Sequence, residues 1–127
     1  MTRDEVIAKW NSMQPRERDA WVAEDVMGLE LVEHMLAAYP KYRLPDYPDY
    51  FRDVPNYSTD ISAAWVVLEK PEIMDRIQIG LYPTSFGKWI ARPYMAGYEN
   101  CRVQADSGPE AICLAALIAT QGEGIEK

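Results

Sequence analysis

Three kinds of residue in this chain carry side chains suited to chemistry: two thiols, a lone imidazole, and a concentration of tyrosine with arginine. Nucleophilic catalysis needs a thiolate or alkoxide beside a base that a third group holds in place. His34 is the one histidine, Cys113 falls in an apolar helical run, and Cys101 falls on the apolar side of an alternating strand. Apolar surroundings disfavour a thiolate, so both cysteines read as small core residues without a disulfide. With no Cys-x-x-Cys and no paired histidines, no metal centre is expected. Asp46, Asp49, Asp53 and Asp60 offer carboxylate pairs but sit in no recognisable hydrolytic context, and their ordinary role is to keep their segment solvated. Gly80, Gly87 and Gly97 are isolated, so there is no glycine-rich phosphate loop. These residues point to no catalytic set and no cofactor. The expected protein is a binder and not an enzyme.

The tyrosine and arginine residues remain. Between Tyr39 and Tyr57 lie five of the eight tyrosines and four of the nine prolines. Tyr42, Arg43, Tyr47, Tyr50, Phe51, Arg52 and Tyr57 belong to this stretch, and Trp89, Arg92, Tyr94 and Arg102 lie on or beside later strands. Aromatic faces stack on base-like rings, and the arginine fork grips phosphate at two points. The amides at Ser58 and Thr59 open a helix and can also face an anion, although Asp60 puts a negative charge beside them. The expected ligand site therefore comprises Tyr42, Arg43, Tyr47, Tyr50, Arg52, Tyr57, Ser58, Thr59, Trp89, Arg92 and Arg102.

Helices and strands must position these residues. Thr2 with Glu5 has capping-box spacing before Val6, Ile7, Trp10 and Met13, which predicts a helix over 3–12. Pro15 suits a first helical turn and Gly28 a left-handed stop, giving a second helix over 15–27. Residues 29–39 read as a short strand and then a helical turn or two. The prolines of 39–57 predict a long loop. Ser58 as cap and Ile61, Ala64, Trp65 and Leu68 as the buried face predict a helix over 59–70, stopped by Pro71. Ile77, Ile79 and Leu81 alternate with polar residues, so strands over 76–82, 88–92 and 99–105 form an antiparallel meander. Ser107 and Glu110 open a helix over 108–120 that is apolar nearly all round and so buried on most sides. A polar tail follows from Gln121.

Composition limits the partners. A chain of 127 residues matches one domain with its own core, and 48% apolar with 26% charged residues is ordinary for a globular protein. The net charge is −7, with 13 basic residues scattered among 20 acidic ones, which argues against a nucleic-acid partner. No apolar run approaches the roughly 20 residues that span a bilayer, and the start lacks a secretory pattern, so a cytoplasmic location is expected and no membrane.

Three blocks carry a resemblance: Pro15 to Gly28 (PRERDAWVAEDVMG), Tyr57 to Trp65 (YSTDISAAW), and Ala105 to Leu117 (ADSGPEAICLAAL). Together they resemble the signature blocks of the phage ABA-sandwich domain, carried by phages and prophages of Gram-positive bacteria. The resemblance implies an α+β fold: an α/β/α sandwich with one short antiparallel sheet of three or four strands flanked by helices. It carries no binding residue over. The functional expectation is a phage accessory protein that captures a host nucleotide-derived immune signal. The other expectation is a module that binds a host protein, and in either case a homo-oligomer.

Overall fold

The computed structural model describes residues 1–32 and 40–121. The helical turn expected after residue 31, His34 and Tyr39, and the tail beyond residue 121 lie outside the described residues.

Helix α1 spans Arg3–Asn11 and opens with the reciprocal capping box, the Thr2 side chain accepting from the Glu5 amide and the Glu5 carboxylate from the Thr2 amide. Helix α2 spans Pro15–Trp21 and runs on as a π turn over Val22–Val26, where the Met27 amide reaches back five residues to the Val22 carbonyl at 3.0 Å. The turn inserts one residue into the helix and buries Val22, Ala23 and Val26. Gly28 then reverses the chain at φ 70°, a conformation that costs glycine little.

The stretch expected as a loop is a hairpin. Strands β1 (Glu30–Leu31), β2 (Lys41–Leu44) and β3 (Tyr47–Asp53) form an antiparallel sheet in that order. Proline tolerates this because none sits in a central ladder position. Pro40 precedes β2, Pro45 is in the turn, and Pro48 lies on the edge strand where the register jumps between Arg43 and Leu44. This sheet is additional to the one expected.

Helix α3 spans Ile61–Glu69 and is capped by Asp60, whose carboxylate accepts from the Ser62 amide at 2.9 Å, and not by Ser58. Pro71 ends α3 and also starts helix α4 (Pro71–Met74), because the residue before proline is pushed out of the helical region and Lys70 takes ψ 129°. Strands β4 (Ile79–Pro83), β5 (Trp89–Pro93) and β6 (Val103–Ala105) make the expected meander in the order β4-β5-β6. Two limits differ from the alternation pattern. Gln78 stands at φ 55° and delays β4, and Glu99–Cys101 is a 3-10 turn, which shortens β6. Helix α5 spans Gly108–Gln121, with Ser107 accepting from the Glu110 amide.

Every residue of α5 from Gly108 to Ile118 except the half-buried Glu110 is buried. The helix lies against the β4-β5-β6 sheet and also packs on α1, α3 and the π turn. Ala91 and Val103 on the inner sheet face, Val6 and Trp10 on α1, and Ala64 and Val67 on α3 complete the core. Among the described residues, five α-helices with two three-stranded antiparallel sheets make an α+β fold consistent with an α/β/α sandwich.

Among the described residues, two polar side chains are buried with the core, Asp19 and Ser58. Asp19 is 0% exposed, and its carboxylate accepts from the Ser58 amide (2.8 Å), the Ser58 hydroxyl (2.6 Å) and the Arg16 guanidinium (2.8 Å). Arg16 in turn donates to the Val54 carbonyl and to the Asn56 side chain. Nearby, the Cys113 thiol donates to the Tyr57 carbonyl at 3.2 Å. Burial pushes the Tyr57 phenol and the Cys101 thiol up to about 12, and the Cys113 thiol well above its usual value.

The enclosure has measurable consequences. Asp19→Ala leaves the Ser58 amide, the Ser58 hydroxyl and Arg16 short of an acceptor, and urea unfolding should show a loss of about 3 kcal/mol, against about 1 kcal/mol for Ser58→Ala. Equal small losses for the two would show that the carboxylate is not the hub. The alkaline limit has a definite sign. The unfolded chain releases the Cys101 proton from about pH 9 upward while the folded chain holds it, so this stability is complete below about pH 9 and is lost towards about pH 12, and the buried Cys113 thiol acts in the same direction. Urea midpoints at pH 7 and pH 10.5 should differ accordingly. A thiol reagent at pH 8 should label neither cysteine until urea is added, and rapid labelling of the native chain would contradict the burial.

Candidate functional site

The outward face of the β4-β5-β6 sheet is the place where the described residues depart furthest from routine packing. Cross-strand register sets Gly80 directly opposite Arg92. Just past β5, the Tyr94 amide donates to the carbonyls of Gln78 (3.1 Å) and Ile77 (3.3 Å), which ties Tyr94 to the start of β4. The phenol end of Tyr94 then fills the space where a side chain at position 80 would stand. A Cβ there would lie 2.9 Å from Cζ and from the hydroxyl oxygen, and closer still to Cε2. Gln78, beside this contact, takes a left-handed backbone that costs a non-glycine residue of order 1 kcal/mol. Such strain gathers at ligand clamps more often than elsewhere.

Tyr94 is the shared wall of two clefts. On one side, Arg92, Pro93, Met95, Ala96, Glu99 and Arg102 join it around about 480 Å³. The Arg92 guanidinium lies 5.8 Å from the Tyr94 ring centre, a cation–π distance. Two guanidiniums face one carboxylate here, a locally positive cleft in a chain of net charge −7. On the other side, Trp65, Leu68, Glu69, Met74, Gln78 and Ile79 join Tyr94 around about 340 Å³. Trp65 is 52% exposed, although the spacing of α3 placed it on the buried face. Helix α3 is apolar on more than one side, Ala64 and Val67 take the core positions, and Ile61, Trp65 and Val66 are left outside.

Of the residues expected to bind ligand, the structure brings Arg92 and Arg102 into one cleft. The others separate from them. Trp89 is three residues from Arg92, so the pleat sends it to the opposite face, where it packs against the core beside Leu81 and Gly108. Tyr57 (3% exposed) and Ser58 (1%) are core and network residues, and Thr59 is exposed but opens no helix, because α3 begins at Ile61 with the Asp60 carboxylate over its first amides.

Tyr42, Arg43, Tyr47, Tyr50 and Arg52 sit on the hairpin. Tyr42 packs partly on the core. Arg43 is already engaged by the Pro48 carbonyl at 2.6 Å, by Glu30 and by the Phe51 ring. Tyr47 and Tyr50 meet edge to face at 6.1 Å and are both largely exposed. The hairpin presents aromatic surface.

Two further clefts offer less. The one between α1, α2 and β6, about 290 Å³, contains Arg3 and Arg18. Arg3 already donates to the carbonyls of Asn100 and Arg102, and Arg18 is bound to Trp10 and Glu110. The other, about 410 Å³, is lined by Asp25, Lys70, Glu72 and Arg76, with Arg76 donating to the Tyr98 hydroxyl. Among the described residues no three His, Cys, Asp or Glu side chains are placed to hold a metal ion, and no helix is long and apolar enough to cross a membrane.

Comparison with known proteins bears on origin. Curated proteins give no match to the chain. A 2.0 Å crystal structure of a phage protein from Bacillus cereus ATCC 14579 is similar in fold, with a TM-score of 0.63 and 26% sequence identity, covering 83% of this chain and 90% of that one. Residues 20–117 match the model of the phage ABA sandwich domain, a span that takes in α2 from Ala20 to the buried length of α5. The chain belongs to the phage ABA sandwich domain family.

Proposed function

We propose that this phage protein is a stoichiometric binding protein that captures a small nucleotide-derived signal of host defence, with the two clefts flanking Tyr94 as its site. One observation carries the reading: a cleft of aromatic and apolar side chains and a cleft with two arginines share a single tyrosine wall. A nucleotide has the matching division. Its base would lie among Trp65, Met74 and Tyr94, and its phosphates between Arg92 and Arg102. The volumes fall within the range of small-molecule sites. Capture without turnover fits the neighbourhood, because both thiols are buried, line neither cleft and are held protonated.

Calorimetric titration against ADP-ribose, cyclic dinucleotides, adenosine and pyrophosphate tests the proposal. A nucleotide carrying both base and phosphate should bind at least tenfold more tightly than adenosine or pyrophosphate alone. Arg92→Ala and Arg102→Ala should each weaken it by roughly tenfold, the worth of a charged hydrogen bond. Ligand recovered intact after hours of incubation supports capture, and its conversion points to an enzyme. Heatless injections throughout would end the nucleotide reading.

A second reading rests on the hairpin, where Tyr47, Tyr50 and Phe51 are exposed on an edge strand exposed along its whole length. Aromatic residues of this kind anchor protein interfaces, to a host protein or to another copy of the chain. The triple change Tyr47→Ser, Tyr50→Ser, Phe51→Ser should leave the unfolding midpoint nearly unchanged while lowering the native mass measured by light scattering if the chain self-associates. An unchanged mass from an oligomeric wild type would remove the hairpin as its interface.

A further inference from the structure

We infer that Tyr94 is the residue that decides which ligands the paired clefts accept, and that Gly80 is the seat that makes this possible; the inference rests on the nucleotide reading above. The phenol end of Tyr94 occupies the side-chain position of residue 80, and even a methyl group there would collide with three of its atoms. The backbone of Tyr94 is tied down by two carbonyls, whereas its hydroxyl has no hydrogen-bond partner among the described residues. The side chain is therefore held by packing, that on Gly80 included, and by the Arg92 guanidinium. A larger residue at 80 pushes the ring off the strand and into one of the two clefts it divides. The seated ring fixes how far a ligand's flat group, stacked on the Trp65 side, stands from its anionic group on the Arg92 side. Ring geometry is what this role needs, and the hydroxyl is dispensable.

A double-mutant cycle tests the pairing, with ADP-ribose as the probe and urea midpoints confirming that each variant folds. Tyr94→Phe should bind within about twofold of wild type. Tyr94→Ala should bind roughly tenfold or more weakly, the usual worth of one base–aromatic stack. Gly80→Ala should lose a comparable amount in the wild-type background and nothing further in the Tyr94→Ala background, because its effect passes through the ring. Independently of any ligand, the Gly80 α-protons should carry a ring-current shift from the edge of the Tyr94 ring that disappears in Tyr94→Ala. Additive losses, unshifted α-protons, or a binding defect in Tyr94→Phe equal to that of Tyr94→Ala would overturn the inference. A wild type that binds no nucleotide overturns the functional reading and this inference with it, whereas a wild type that binds but gives an additive cycle overturns the seat alone.

Discussion

A carboxylate without access to water must have its lone pairs filled by the protein, and Asp19 fills its own by drawing two distant stretches of chain together. The Ser58 amide and hydroxyl come from the segment after the hairpin, and Arg16 reaches from α2 to carbonyls of that same segment. Next to it, the carbonyl of Tyr57 receives the Cys113 thiol from the central helix. The three sequence blocks that carry the resemblance therefore meet at one place. Each supplies a partner that the others would leave unsatisfied, and a buried unsatisfied group costs more than a made bond returns. This junction sets how α2, the root of the hairpin and α5 lie with respect to one another, and the β4-β5-β6 sheet packs on the same α5.

Much of this architecture could be read from residue order. The capping pair Thr2–Glu5, the stop at Gly28, and the all-apolar α5 are local signals, and local signals survive folding because they are satisfied within a turn or two of chain. The alternation of Ile79, Leu81, Ala91 and Val103 likewise identified a meander. Proline density misled where its meaning depends on position. The same residue forbids a central strand and suits a strand end, a turn or an edge, and Pro40, Pro45 and Pro48 occupy the permitted places.

The candidate site was legible only in part. Arg92 and Arg102 could be named from composition, yet grouping them with Trp89 ignored the two-residue pleat, which was available in the sequence. Ser58 looked like a helix cap because caps and buried hydrogen-bond donors use the same hydroxyl. Trp65 was assigned to the core because a short helix that is apolar on several sides does not disclose which side the protein covers. The closeness of Gly80 to Tyr94, fourteen positions apart in a hairpin, is a property of strand register and ring position that no local spacing encodes.

The hairpin stands in a different relation to folding from everything around it. Its outer strand buries almost nothing, and its ion pairs, Lys41 with Asp53 and Arg43 with Glu30, close within its own sheet. Side chains there answer to water and to whatever they touch, and hardly at all to the core. Natural variation can rewrite that arm residue by residue without unsettling the body that bears it, so descendants of one ancestral chain are free to part company in what they recognise while remaining the same shape.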